Sequence, residues 1–282
     1  MYSEKPRRAL QKGSTMLPSR YFIDLTQPEI AAQLKKNPLV ILPQGSVEQH
    51  GPHLPTGTDI FASSVIAHAV AERMDGLVLP GGPLGVTPLH MPFEGTITLT
   101  PDTYMRVVTE TCASTARHGA KYLLILNWHE LNIPPLGVAA DLLHREYGMT
   151  VLTVQACFVA EDMFGKECGG LTHGGEIEAL AVLAYRPDLV HLERIDYSSD
   201  HTHGRKIDAL RRTRSFQPVL SDVRSIAPTG WYGSPQHANV EKASRMVNDV
   251  ADAIANQSVG IFKQLDKLQG GIAEIKQSSK VR

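Results

Sequence analysis

The sequence predicts a layered α/β fold on a largely parallel sheet, folded as one domain. Three observations predict it. Between residues 38 and 156, short apolar runs alternate with longer stretches of helical apolar spacing, which is the pattern of strands joined by crossover helices. The runs Pro38–Leu42, Leu77–Pro80, Lys121–Leu126 and Thr150–Ala156 are short and read as strands. No repeat and no linker-like composition divides the 282 residues, a length that supports one large core.

The elements follow in order. Residues 1–18 are polar and basic, with Lys5, Arg7, Arg8 and Lys12 but no apolar run behind them, so they read as an arm and not as a secretory signal. Residues 19–268 form the predicted domain. Thr26-Gln27-Pro28-Glu29 opens a helix to about Lys35: Thr26 caps, Pro28 suits the first turn and Glu29 completes a capping box. The strand at 38–42 runs into a Gly- and Pro-bounded loop that carries Glu48, His50 and Asp59. Ile60–Met74 has helical spacing. Gly81–Thr100 is a long punctuated loop holding Thr87, His90 and Glu94. A helix over Pro101–His118 precedes the strand at 121–126, whose end carries Asn127-Trp128-His129-Glu130-Leu131-Asn132. Pro135–Tyr147 reads as a helix. After the strand at 150–156 the chain reads as irregular from Phe158 to Gly170. Thr172-His173-Gly174-Gly175-Glu176-Ile177-Glu178 opens a helix to Tyr185. His201 and His203, in a charged segment, read as surface residues. A Gly/Pro-rich loop at 229–235 precedes a helix over Ala238–Leu265, and residues 269–282 read as a polar tail.

Composition narrows the function. The 28 basic residues balance 29 acidic ones, for a net charge of -1, so nothing favours nucleic acid or an anionic membrane as partner. No apolar stretch is long enough to span a bilayer. Three cysteines, Cys112, Cys157 and Cys168, show no metal-type spacing, and a reducing, cytoplasmic setting is expected. There is no GxSxG nucleophile turn and no GxGxxG or Walker loop after a strand. What remains is three polar clusters, two at strand ends and one at a helix start, each combining His with carboxylate: Glu48/His50/Asp59, His129/Glu130 and His173/Glu176/Glu178. Strand ends are where an open α/β sheet places its chemistry. Such sets without thiolate suit catalytic Zn or Mn. The number of carboxylates predicts two divalent ions, with Asp59 bridging them and a hydroxide held between.

The motifs also carry a family resemblance. Glu48-Gln49-His50-Gly51-Pro52-His53-Leu54-Pro55, followed by Gly57-Thr58-Asp59, resembles the signature loop of the creatininase (creatinine amidohydrolase) family. Phe93-Glu94-Gly95-Thr96-Ile97 resembles its FPGT segment, with His90 upstream. Asn127–Asn132 stands where members carry NGHGGN or NGHYEN, His173–Glu178 resembles HAGEIET, and Gly230–Pro235 resembles the late GVYGDP loop. The resemblance spans about residues 20–265.

It implies a three-layer α/β/α fold, a dinuclear Zn or Mn centre, hydrolysis of small and often cyclic amides, and a homo-oligomer, commonly a hexamer. The implied ligands are Glu48, His50, Asp59 and His129. A fifth is expected from Glu176, with Glu130 as the competing choice, because Leu131 occupies the glutamate position of the NGHYEN form. His173 is the implied proton donor or substrate clamp, and Glu130 is the second catalytic candidate. Trp128, His90, Trp231 and Tyr232 are expected to contact substrate. Trp128 replaces a glycine, and Glu130-Leu131 replaces Gly-Gly or Tyr-Glu. A smaller or differently shaped pocket with an aromatic wall follows, and creatinine itself is not the expected substrate. Hydrolysis of a cyclic ketone or lactone on the same centre, or a non-catalytic binding role, are the alternatives.

Overall fold

The computed structural model describes residues 19–198, 201–212 and 219–278. The predicted arm, residues 1–18, lies outside them. Four strands form one all-parallel sheet in the order β2-β1-β3-β4: β1 Leu39–Gln44, β2 Leu77–Val78, β3 Tyr122–Asn127 and β4 Thr150–Gln155. The described residues also form eight α-helices: α1 Gln27–Lys36, α2 Thr58–Met74, α3 Pro101–Arg117, α4 Ile133–Tyr147, α5 Ala156–Cys168, α6 Glu176–Tyr185, α7 Thr202–Arg212 and α8 Val240–Ser278.

Alternation along the strands splits the core in two. Leu39, Ile41, Leu124 and Leu126 pack against apolar residues of α2, α5, α6 and α8. Val40, Leu42, Leu123 and Ile125 point the other way and pack with residues of α3 and α4. Successive side chains of a strand face opposite sides, so a strand apolar at every position must be covered twice. The result is the expected α/β/α sandwich.

Gln44 pairs with Asn127 and Asn127 with Gln155, so β1, β3 and β4 end level. The loops after β1 and β3 therefore leave from the same edge. Gly45 ties the edge to α2: a Cβ there would stand 2.5 Å from the Asp59 carbonyl carbon. Only glycine allows this approach, and it brings Asp59, in the first turn of α2, against the end of β1. Asn132 clamps the neighbouring loops, donating to the Gly45 carbonyl and accepting from the Val86 N–H, both at 2.9 Å.

Three expectations change. The stretch after Phe158 is not irregular; it is α5. Ala156, Cys157, Ala160, Phe164 and Cys168 fall on one buried face at helical spacing, and β4 runs into the helix with no turn residue to announce it. His201 is not a free surface residue, because its ring packs edge-on against Trp231 at 4.4 Å, at the start of α7. The last helix does not stop near Leu265, and its backbone stays helical to Ser278. Gly270 and Gly271 are unfavourable there but do not end it.

Candidate metal centre

Six polar side chains converge at the sheet edge. Glu48 and His50 come from the loop after β1, Asp59 from the first turn of α2, His129 from the end of β3, and His173 and Glu178 from the start of α6. All but His173 are buried, and His173 is nearly so. Their atoms approach as metal donors do. His129 Nδ1 stands 3.3 Å from Glu48 Oε2 and 3.1 Å from Asp59 Oδ2. His50 Nε2 stands 3.3 Å from Asp59 Oδ1 and 3.6 Å from Glu178 Oε2. Asp59 thus turns one oxygen to each imidazole.

The far nitrogen of each histidine fixes which atom faces inward. His129 Nε2 lies 3.1 Å from the Val86 carbonyl and His50 Nδ1 lies 3.0 Å from the Glu48 carbonyl. A carbonyl can only accept, so these nitrogens carry protons, and once the second ring proton is lost the inner nitrogens present lone pairs. Metal-binding histidines are oriented in this way. Ser46 Oγ bridges Glu48 Oε2 at 2.8 Å and Asp59 Oδ2 at 2.6 Å, and the Thr87 hydroxyl also donates to Glu48.

The donor set fits divalent cations on two grounds. His50 Nε2 is buried without a hydrogen-bond partner although two carboxylates face it. Glu48, Asp59 and Glu178 are buried together, yet no Lys or Arg is among the described residues lining their cavity. Buried charge of one sign needs a counter-charge. In the chain itself protons supply part of it. Burial disfavours a charged His50, but the Glu178, Asp59 and Glu48 carboxylates raise its pKa to about 10. His129 is driven well above the ordinary histidine value against burial, by Glu48 and Asp59. Burial, opposed by His50, pushes Glu178 up to about 8. Burial also works against an ionised Glu48, yet His129 and His90 hold it well below the usual carboxylate range.

Glu176 does not join this set. Its Oε1 pairs with Lys242 Nζ of α8 at 2.7 Å, and Lys242 also reaches Glu167 at 3.2 Å. At about 100° per residue, Glu176 and Glu178 lie on nearly opposite faces of α6. Glu178 faces the centre and also caps its own helix, accepting from the Gly174 N–H at 2.6 Å. Glu178, and not the expected Glu176, is therefore the glutamate of α6 that reaches the cluster. Glu130 lines the cavity but stands in none of the close groups of possible donors.

A cavity of about 70 Å3 opens on the centre, and Trp128, Glu130, Leu131, His90, His173 and Tyr232 are among the residues lining it. Leu89 and Leu171 add apolar wall. Tyr232 is held over it by the 219–233 segment, where Val223, Ile226 and Ala227 pack with Leu89 and Phe93. Trp231 is the second correction. It does not line this cavity, but packs behind it against Gly51 and Gly174, with its ring 5.1 Å from that of His53. Tyr232 and Trp231 therefore do not share the pocket. Ser46 and Gln49 join the site without a signal in the sequence, and Cys157 is buried at the cavity wall. Burial first, then Glu130, Asp59 and Glu178, raises the Cys157 thiol well above its usual value, so it lines the cavity as a neutral thiol.

Fold and site together define a class: an α/β/α protein with a carboxylate–imidazole centre at the carboxyl edge of a parallel sheet. Residues 23–257 match the creatininase family model, described as creatinine amidohydrolase. The chain belongs to the creatininase family. It is 30% identical over 262 residues to the creatinine amidohydrolase of Pseudomonas putida, covering 83% of this chain and 95% of that protein. It is 28% identical over 239 residues to the mycofactocin precursor peptide peptidase of Mycobacterium ulcerans, covering 79% and 87%. A 3-dehydro-scyllo-inosose hydrolase of Thermotoga maritima is 27% identical over 181 residues, covering 61% of this chain and 58% of that one. Among solved structures, a mutant creatininase of Zn-Zn type superposes with a TM-score of 0.71 at 25% identity, over 85% of this chain and 96% of that one. A Mn creatininase does so with a TM-score of 0.69 at 26% identity, over 85% and 98%. No helix among the described residues is long and apolar enough to cross a membrane.

Proposed function

We propose that the protein is a metal-dependent hydrolase that cleaves the C–N bond of a small amide, cyclic or linear, and that creatinine is not its substrate. The observation that carries this is the shared Asp59, with one oxygen 3.1 Å from His129 and the other 3.3 Å from His50. That arrangement supports two cation positions, one with Glu48, Asp59 and His129 and one with His50, Asp59 and Glu178. Two divalent ions, Zn or Mn, supply Lewis-acid polarisation of a carbonyl and a water acidic enough to attack near neutral pH.

The chain's own residues do the rest. Ser46 and Thr87 hold the carboxylates in place. His173 Nε2 lies 2.7 Å from the Gln49 carbonyl, so its Nδ1 faces the cavity. Burial, and then His50 and His90, push the His173 pKa well below its ordinary value, which keeps that nitrogen bare. It accepts the proton of the attacking water and returns it to the leaving nitrogen. Leu89, Leu131, Leu171, Trp128 and Tyr232 give the cavity an apolar wall, which suits a compact ring or the end of a chain. The reading includes a homo-oligomer working in the cytoplasm.

The test is a panel of lactams, cyclic ureas, linear amides and short peptides, with one cyclic ketone and one lactone. It is assayed for products with protein loaded with Zn or Mn. Amine release with at least one amide is expected. Turnover confined to the ketone or lactone transfers the reading to C–C or ester cleavage. A folded chain that takes up neither metal at saturation refutes it.

A further inference from the structure

Four histidines face the centre, and three have their outer ring nitrogen against a carbonyl oxygen: His50 on Glu48, His129 on Val86 and His173 on Gln49. His90 alone is different. Its Nδ1 lies 3.1 Å from the side-chain amide nitrogen of Gln49. The orientation of that amide is set by its other end, because Gln49 Oε1 accepts the Gly51 N–H at 3.1 Å. Reversing the amide would set its NH2 against that N–H. Gly230 closes the far side: a Cβ there would stand 2.1 Å from Gln49 Oε1.

An amide NH2 can only donate, so His90 Nδ1 is an acceptor and the ring proton of the neutral imidazole sits on Nε2. Nε2 points into the site, 3.7 Å from Glu48 Oε1, beyond hydrogen-bonding distance. Gln49 also stands 3.0 Å from His173 Nε2. The shorter contact from that nitrogen to the Gln49 carbonyl requires a proton there, so the 3.0 Å approach carries no hydrogen bond.

We infer that Gln49 is a positioning residue that makes His90 the one imidazole presenting an N–H, not a lone pair, to the cavity, and that this N–H receives the carbonyl oxygen of the substrate. The inference rests on the hydrolase reading for the word substrate, but not for the proton. It separates two groups that distance alone confuses: Glu48, His90 and His173 lie as close as a metal triad, yet a protonated Nε2 cannot ligate. The centre then holds two cation positions and one hydrogen-bond donor in place of a third cation. His90 and His173 stack at 4.4 Å, one offering a donor to the carbonyl oxygen and the other an acceptor to the attacking water.

Neutron diffraction from deuterium-exchanged crystals of the Zn-loaded full chain places the protons directly. The expected result is a deuteron on His90 Nε2 and none on Nδ1. In Gln49→Glu the new carboxylate accepts, and the deuteron should occupy Nδ1. Gly230→Ala, which displaces the amide without altering it, should disorder the choice. With the best-cleaved member of the amide panel, Gln49→Glu should lose kcat about 10²-fold, the cost of one donor to a developing oxyanion, with KM and Zn content nearly unchanged. The added change His90→Gln, whose amide donates whatever stands at 49, should restore part of kcat. A deuteron on Nδ1 in the wild-type crystal, or a His90 proton indifferent to Gln49→Glu, overturns the inference. If no panel member is cleaved while the deuterons fall as expected, the hydrolase reading fails and the proton assignment stands.

Discussion

Two stretches supply the carboxylates of the centre, and they obey different rules. The loop after β1 and the turn into α2 give Glu48 and Asp59, both locked by Ser46 and both facing inward. The start of α6 gives two glutamates of which one serves: Glu178 faces His50 and Glu176 faces Lys242. On the loop, tight turns and side-chain hydroxyls aim each group individually. On the helix, the 100° step aims both at once, and turning one to the centre turns the other away. The loop concentrates function, whereas the helix divides the same residue type between a site and a scaffold.

Breaking the loop should cost most. Glu48 holds an oxygen 3.3 Å from His129, so Glu48→Ala should remove about 10³-fold or more of hydrolysis, as loss of a main electrostatic group does. Elemental analysis should show metal content falling with it. Full metal with full activity would show that the loop is not the centre. The helix should split by position. Glu178→Gln, which keeps the shape and loses the charge, should reduce activity about 10²-fold. Glu176→Gln should leave activity within a few-fold and instead lower stability by about 2 kcal/mol, the scale of a hydrogen bond to a charged group, as read by urea unfolding. If the two variants exchange effects, α6 turns Glu176 and not Glu178 to the centre.

That difference also explains what the sequence reveals. Strands 38–42 and 121–126, the Gly/Pro loop and the His129 strand end are local patterns, and each lands within a residue or two of its place. The choice between Glu176 and Glu178 is not local. It depends on which face of α6 meets α8, and therefore on Lys242, 64 or more residues away. Trp231 and Tyr232 show the same limit: both are aromatic in one loop, and only the packing of 223–227 decides which one faces the cavity. The helix α5 carries no start signal: it follows β4 directly, and Gly165 and the Gly169-Gly170 pair give its second half the composition of a loop. Gln49 gives no signal, because an amide between Glu48 and His50 carries no charge of its own.

A pH series sharpens the comparison. In the metal-free chain His50, at about 10, and Glu178, at about 8, both keep a proton at pH 7. A cation must displace those protons, so raising pH removes a competitor and apparent affinity should rise from pH 6 to 8. The slope is about tenfold per pH unit for each proton displaced. Chelator competition with Zn at pH 6, 7 and 8 measures it. Glu178→Gln deletes the helix-borne proton and should flatten the slope by about one, whereas Glu176→Gln should leave it alone. An unchanged slope in Glu178→Gln would assign every displaced proton to the loop and strand histidines.

The smallest effect concerns the wall between the two stretches. Trp128 is buried and lines the cavity, yet its indole N–H has no hydrogen-bond partner in the protein. A buried donor left unpaired costs free energy, so the geometry favours a substrate that brings it an acceptor. Trp128→Phe keeps a ring and removes only the N–H. If substrate serves that donor equally in the ground and transition states, KM should rise about 5-fold, the equivalent of one neutral hydrogen bond of about 1 kcal/mol, with kcat nearly constant. If substrate leaves the donor unserved, Trp128→Phe should raise the unfolding midpoint and leave KM alone, since it relieves an unsatisfied group. The two outcomes have opposite signs in two assays, so one variant decides whether Trp128 is a recognition residue or only a wall.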